Sequence, residues 1–423
     1  MLQVRMSAAN RHRVLIVGGG ASGLIAAISA RRMGARVTVL ERNPRVGKKI
    51  LVTGNGRCNF THVHADVRHY HGRRPEFVRS ALAAFNVPAT LRFFEKLGIA
   101  HKVEDGGKVY PMSDQAASVL DVLRYELDAA GVETVCDACV VDIKQKGPEF
   151  EAHLKDGSAI SGDRLILAAG GKAMPSTGSD GRGYTLAERF GHTLVAIFPA
   201  LVQLKLGGGF FKQIDGVRVV GTAELRCDGQ SLRTESGDLL FTNYGLSGPP
   251  VLQLSRQAGE RLRQRRQPVL RIAIIPTTSE AELDAVLAKR FGVMPNKTVE
   301  FSLVGLINKR LIRVLLTEAG IRDLRSPVGS LPPEGRRKIA RILTAWDLPI
   351  RDTLSWPSAQ VTAGGIGTSD VSPDTLESKR VPGLYFAGEI LDIDGDCGGF
   401  NLQWAWSSGH VAGQHAARPA SSA

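Results

Sequence analysis

Two glycine-rich passages stand near opposite ends of the 423-residue chain, and both carry residues suited to gripping a large polar ligand. In the first, Leu15 to Gly23 read LIVGGGASG, which places Gly18, Gly20 and Gly23 in the spacing G-x-G-x-x-G. Glycines so spaced let the backbone approach a pyrophosphate, and a helix opening behind them offers unpaired amides and a favourable field. Glu41 follows 18 residues beyond Gly23. A carboxylate there accepts hydrogen bonds from the two hydroxyls of an adenosine ribose and would repel a ribose phosphate, so this loop favours FAD or NAD over NADP. In the second passage, Ala387 to Gly409 read AGEILDIDGDCGGFNLQWAWSSG. Glu389 and Asp394 are placed to meet ribityl or ribose hydroxyls, and the turn through Gly398 and Gly399 leads into a helix expected to start near Asn401. The free amides of that start would face the flavin edge where negative charge collects on reduction. A plain helix start capped by Asn401 is the other reading. FAD is long enough to need both passages, with ADP at the first and the ring at the last; NAD alone explains the second poorly.

The elements that must position these residues are legible around them. RVLIVGGGASGLIAAISARRMGARVTVLERN, from Arg13, is a strand, a glycine turn, an alanine- and leucine-rich helix and a second strand. The unbroken apolar run Val14 to Val17 is typical of a parallel strand covered on both faces. Residues 114–131 read as an amphipathic helix, 164–171 as a buried strand ending in glycines, and 381–386 as a strand feeding the second passage. From 196 to 275 the chain breaks into short strand-like pieces separated by LGGG, CDGQ and ESGD, and 279–347 is mainly helical in pattern. The expectation is an α/β protein in which a Rossmann-like FAD domain, split over 1–195 and 356–423, is interrupted by an inserted β-rich and helical domain over 196–355. The insert should roof the flavin, with Asp347 to Asp352 as its return hinge.

Composition narrows the partners without choosing one. A formal charge of +13 suits nucleic acid, an anionic surface or a phosphorylated ligand. The densest basic stretch, residues 256–271 with six arginines and one glutamate, reads first as a solvated face, then as an anion or RNA site. No RNP-like strand or interleaving of aromatic with basic residues supports nucleic acid, so that partner is not expected. Five cysteines, an odd number, argue against a disulfide framework and for a reducing, cytoplasmic setting. Cys136 and Cys139 form a C-x-x-C with no second pair nearby, so no metal site is expected. The opening MLQVRMSAANRHR has no leader pattern, and no run of 18 apolar residues suggests a membrane span.

Between the passages, RNPRVGKKILVTGNGRCNFTH is unusually polar and glycine-rich. Lys48 and Lys49 are suited to neutralising phosphate, and Thr53 to Asn59 to wrapping a ligand with backbone donors; Cys58 reads as a small buried cysteine at least as readily as a nucleophile. With GKKILVTGNGRCNFTH, GGKVYPMSDQAASVLDVL, AAGGKAMPSTGSDGRGY, FTNYGLSGPPVLQLS and FAGEILDIDGDCGGFNLQWAWSSG, the chain resembles the YhiN-like, or BaiN-like, HI-type flavoproteins across nearly its whole length. The resemblance implies a two-dinucleotide-binding-domains flavoprotein with noncovalent FAD. It also implies FAD contacts from Gly18, Gly20, Gly23, Glu41, Gly54, Gly56, Asn59, Gly388, Glu389, Gly399, Asn401 and Leu402. Described relatives include reductases of unsaturated steroid ketones and oxidases of amines or aminoketones, so the fold leaves the substrate open.

The chemistry expected is hydride transfer through flavin N5 to a small organic acceptor such as an unsaturated carbonyl. No second G-x-G-x-x-G follows a strand, so NADH or NADPH would dock transiently, drawn by Lys172, Arg182 and the basic insert. Tyr110, Asp180, Tyr184, Tyr244 and His410 are the candidate acids or bases. Tyr244 in TNYGLSGP is the choice for proton delivery, because a phenol is protonated near neutral pH; His410 reads as structural. An amine oxidase, an RNA-modifying flavoprotein and a non-catalytic flavin binder are the alternatives. Oligomeric state is not readable.

Overall fold

The structure, a computed structural model, describes residues 12–419; the first eleven residues, read above for a leader, lie outside that range. The chain forms two compact units, one running to Phe198 and resuming at Gln360, the other Pro199–Ala359. These boundaries fall a few residues beyond the expected breaks at 195 and 355.

The first unit is built on five parallel strands. Strands β1 (Arg13–Val17), β2 (Arg36–Leu40), β3 (Glu133–Val135), β4 (Arg164–Leu167) and β5 (Leu384–Phe386) lie in the order β5-β4-β1-β2-β3. Helix α1 (Ala21–Arg32) makes the crossover from β1 to β2, and its residues Ser22 to Ala30 are all buried. Helix α2 (Phe400–Ala416) packs on α1 at backbone distance. A Cβ on Gly409 would stand 2.3 Å from the Ser22 carbonyl oxygen, and one on Gly413 2.3 Å from that of Ala26. Glycines one turn apart therefore set how closely the first and last helices touch. The central runs Val14–Val17 and Leu165–Leu167 are buried and apolar throughout, packed by α1 and α2 and by an antiparallel sheet of Val140–Lys146, Glu149–Leu154 and Ala159–Gly162.

The second unit holds a closed antiparallel barrel of Leu204–Leu206, Gly245–Ser247, Gln230–Thr242, Arg218–Cys227, Val269–Ala273 and Trp346–Thr353, in that order. Alternate residues point inward: Ala223, Leu225, Leu239, Phe241, Leu270 and Ile272 are buried, the period-two pattern of a strand with one face on a core. Helix Pro249–Arg263 packs on the barrel, and helices Glu280–Val293, Lys309–Glu318 and Pro333–Thr344 also belong to the unit. The expected hinge at Asp347 to Asp352 is instead part of the strand that closes the barrel, paired with Val269–Ala273 on one side and Leu204–Leu206 on the other. Alternation of Leu348 and Ile350 with Asp347, Pro349 and Arg351 marks it as a half-buried strand.

Among the described residues, no helix is long and apolar enough to cross a membrane, and no group of three His, Cys, Asp or Glu side chains is arranged to hold a metal ion.

Candidate functional site

The first glycine loop assigns a different task to each of its three glycines. Gly18 has φ +108°, and a Cβ there would lie 2.5 Å from the Ala168 carbonyl oxygen, so it turns the chain tightly against the end of β4. At Gly23 a Cβ would stand 1.9 Å from the Gly18 oxygen, so this position lets α1 lie on the loop that precedes it. Around Gly20, by contrast, nothing lies within 4 Å of an added Cβ. That open side is where a pyrophosphate approaches the backbone. Gly20 is also the N-cap of α1, with no side-chain cap and no acidic residue in the first turn, so the first amides of the helix are available to an anion. Glu41 is buried at the end of β2, and its Oε2 accepts from the Gly19 amide at 2.9 Å. Its Oε1 accepts from the backbone and side-chain nitrogens of Asn43 at 2.8 and 2.7 Å, which fixes the carboxylate against the loop.

The second passage reaches the same sheet through β5. Gly388, at φ +77°, is latched between the helices: its amide donates to Ser408 Oγ at 2.9 Å and its carbonyl accepts from Trp404 Nε1 at 3.1 Å. Glu389 takes the ammonium of Lys49 on Oε2 at 2.8 Å and the Thr362 amide on Oε1 at 2.7 Å. Lys49, expected to neutralise a phosphate, thus neutralises Glu389, and the pair ties the polar segment after β2 to the second passage. Asp394 is buried in a two-residue strand that pairs with Tyr70–His71.

At the start of α2 the N-cap is Gly399, in the left-handed region, with no side-chain cap and no acid in the first turn. Asn401 does not cap the helix: its amide group donates to Gly395 O at 2.8 Å and accepts from Gly395 N at 2.8 Å, closing the turn before the helix. Leu402, half-buried in the first turn, packs on the apolar core. Facing this start is the loop Thr53 to Asn59, with Gly54, Asn55, Gly56 and Cys58 all at positive φ. Asn59 is 8% exposed, and its Oδ1 has no hydrogen-bond partner. That oxygen lies 2.8 Å from where a Cβ on Gly399 would stand. A buried acceptor left open costs on the order of 1–3 kcal/mol, which marks this corner as shaped for a hydrogen-bonding ligand.

Several candidate acids are removed by their surroundings. Burial pushes Asp180 up, but Arg42 and Arg182 hold its carboxyl below the usual range. Tyr184 and Tyr70 are driven far above the ordinary phenol value by burial, and Tyr70 already donates to Phe400 O at 3.0 Å. His410, lowered to about 4 by burial and then by Arg32, sits between Ser29 and the Phe85 ring. Cys58 is fully buried and pushed up to about 12. Arg182 spans Asp180 and the Cys139 sulfur, and neither Cys136 nor Cys139 is in a disulfide. Tyr244 is half-buried in the turn before Gly245–Ser247, carried by the barrel unit.

The sequence reading missed a histidine cluster. The rings of His62 and His69 each stack on Phe400, at centroid distances of 4.5 and 4.3 Å, and lie 6.3 Å from each other; His71 Nε2 lies 2.7 Å from Asp396 Oδ1. Four histidines among residues 62–71 were the available signal. Tyr110 was noted only for its phenol; its ring lies under the Arg57 guanidinium at 4.1 Å, and its Cε1 would be 3.3 Å from a Cβ on Gly54.

A parallel sheet with an unobstructed glycine turn at one helix start and a second uncapped helix start facing a buried, unsatisfied amide oxygen belongs to a Rossmann-type flavoprotein oxidoreductase, and these features fit FAD. Within that class the chain belongs to the HI0933-like protein family, whose Rossmann domain matches residues 12–415. It is 42% identical over 408 residues to the 3-dehydro-bile acid delta(4,6)-reductase of Clostridium scindens, covering 96% of this chain and 99% of that one. It is 32% identical over 411 residues to the ribosomal RNA dihydrouridine synthase of Escherichia coli, covering 96% and 98%. Among solved structures, the 3-ketosteroid-delta4-(5alpha)-dehydrogenase of Rhodococcus jostii shares the fold, with a TM-score of 0.50, 18% identity and coverage of 98% of this chain and 99% of that one.

Proposed function

We propose that this chain reduces a carbon–carbon double bond conjugated to a carbonyl, with FAD as cofactor and a reduced nicotinamide as transient electron donor. Bound FAD supplies hydride transfer through its N5. The observation that carries the reading is the open, buried Asn59 Oδ1 beside the uncapped start of α2, a donor-and-acceptor corner suited to the polar edge of a flavin. In this reading the α1 amides behind Gly20 hold the pyrophosphate, Glu41 the adenosine ribose, and Asn59 with the amides of Asn401 and Leu402 the ring edge. The backbones of Gly54 and Gly56 close over the ligand, and the Lys49–Glu389 pair and Asp394 border its ribityl stretch. The two relatives' names share one chemistry: a steroid 4-en-3-one and the uracil ring of uridine both present a C=C conjugated to a carbonyl.

The first measurement is the visible spectrum of purified protein, before and after anaerobic NADH or NADPH, followed by addition of 4-androstene-3,17-dione. Rapid bleaching by one nucleotide and reoxidation by the enone support the reading. A protein that neither carries nor takes up FAD removes it.

A second reading, uracil within RNA as the substrate, is favoured by the charge distribution. The barrel unit carries 24 Lys and Arg against 15 Asp and Glu, a net +9 of the chain's +13. RNA binding should then weaken steeply with salt, because each phosphate neutralised releases a counterion. A flat salt response sets this reading aside.

A further inference from the structure

The second unit leaves four large apolar side chains in solvent close together in sequence. Helix Glu280–Val293 buries Leu283, Leu287 and Phe291 in the unit's core, yet Val286 and Val293 on its outer side are 49% and 70% exposed. They stand two turns apart and so share a face, with Lys289 between them on it. The patch continues past the helix end. Met294 is 50% exposed, and Phe301 in the short helix Val299–Ser302 is 54% exposed. A turn in which the Lys297 amide donates to Met294 O at 3.2 Å carries Lys297 Nζ to 5.3 Å from the Phe301 ring centroid. The Arg290 guanidinium braces the two helices, donating to Ser302 O at 2.7 Å and to Val304 O at 2.6 Å. Arg325 reaches the rim because its neighbours accept from the same short helix, Ser326 O from Val299 N and Leu324 O from Glu300 N, both at 3.0 Å.

The cations beside this patch are unpaired. Lys289, Lys297 and Arg325 enter no ion pair among the described residues. The carboxylates of the longer helix are engaged elsewhere: Glu280 by Arg341, Glu282 by Ser279 and Asp284 by Arg336. Glu300 is half-buried, and Asp323 turns its carboxylate to the Arg325 and Ser326 amides at 3.0 and 3.1 Å.

We propose that this patch docks the protein on an anionic lipid surface, an inference that goes beyond the reductase reading and does not depend on it. Exposed apolar patches rimmed by polar side chains are where proteins meet partners or membranes. A lipid surface takes both components at once. The valines, Met294 and Phe301 enter the boundary between headgroups and acyl chains, while the lysine stems lie along them and leave their ammoniums among the anionic headgroups. A second copy of the chain fits less well, because a two-fold axis through the patch sets its cations against the same cations of the other copy. Seven side chains also fall well short of the roughly 20–30 residues per side that a stable protein interface uses. RNA would find a single ring to stack on and three aliphatic side chains that offer no platform.

The test is co-flotation of FAD-loaded protein with vesicles of phosphatidylcholine alone and of phosphatidylcholine with one-third phosphatidylglycerol. Binding is expected on the mixed vesicles and little on the neutral ones. A basic residue near an anionic surface contributes about fivefold in affinity, so the double variant Lys289→Ala, Lys297→Ala should bind about 30-fold more weakly. Lys338→Ala, which removes a lysine already paired with Glu334, should leave binding unchanged. Phe301→Ser should weaken it about tenfold, and Val293→Ser, at an exposed helix end, reads the same contribution if Phe301→Ser fails to fold. Absence of binding to the mixed vesicles overturns the proposal. So does binding that the lysine variants weaken and both apolar variants leave intact, since the apolar side chains then make no contact. Sedimentation velocity and titration with a uridine-containing RNA cover the other occupants: a dimer dissociated by the apolar variants, or RNA affinity lowered by them, assigns the patch to a second copy or to RNA and overturns the lipid proposal. None of these readouts uses flavin reduction, so failure here and failure of the reductase reading are separate results.

Discussion

Gly20 and Gly23 separate what the ligand requires from what the fold requires, three residues apart in one loop. Gly20 has φ −83° and ψ −170°, a conformation any residue adopts, and an added Cβ meets no protein atom within 4 Å. Gly20→Ala should therefore leave the apoprotein within ~0.5 kcal/mol of wild type, the scale of an N-cap change. The same methyl fills the gap through which a pyrophosphate reaches the α1 amides. Losing two charge-assisted hydrogen bonds at ~1.5 kcal/mol each is ~3 kcal/mol, or about 100-fold in FAD affinity. Gly23→Ala should behave oppositely. Its Cβ would stand 1.9 Å from a backbone oxygen, so α1 must lift from the loop at a cost of ~1–3 kcal/mol, typical of overpacking. Thermal unfolding of the apoproteins and FAD titration by flavin fluorescence read the two quantities independently. If Gly20→Ala lowers the apoprotein melting temperature while FAD affinity is untouched, the assignment of the open side to the ligand is refuted.

Lys49→Met should destabilise the apoprotein by ~1 kcal/mol or more in urea unfolding, because Glu389 is left half-buried without its cation, and adding Glu389→Gln should return part of that loss. Gly413→Ala should lower both stability and FAD retention, since α1 and α2 must part to admit a methyl 2.3 Å from the Ala26 oxygen; an unchanged melting temperature would contradict the close packing. His410, held to about 4 when folded, binds its proton more readily in the unfolded chain. Stability from this group is complete above about pH 6.5 and is lost as pH falls toward 4, so His410→Phe should flatten the acid side of a melting-temperature profile.

What the sequence made legible was local. A strand, a glycine turn, a helix and a second strand within thirty residues obey short-range rules, and Gly18, Gly20 and Gly23 are informative because their spacing alone sets the geometry. The partners of longer-range residues were not readable. Lys49 and Glu389 are 340 positions apart and nothing near either announces the other. Capping by Asn401 was the alternative reading, since Asn favours that position, yet Gly399 takes the cap and the Asn401 amide closes a turn instead. Barrel closure was hidden for the same reason: Trp346–Thr353 alternates correctly, but the strands it joins lie far upstream. The histidines of residues 62–71 stood out by number only, since a stack around Phe400 needs the two segments brought together.

The division of the sheet also orders events during synthesis. β4 and β5 are neighbours in space, with more than 200 residues between them in sequence, and α2 comes later still. A growing chain can thus complete its first glycine turn and its barrel while the ring-side corner has no α2 to close it. With the ring placed as proposed above, flavin loading would be one of the last steps of maturation, and the nascent sheet carries β4 as an exposed edge until β5 emerges to cover it.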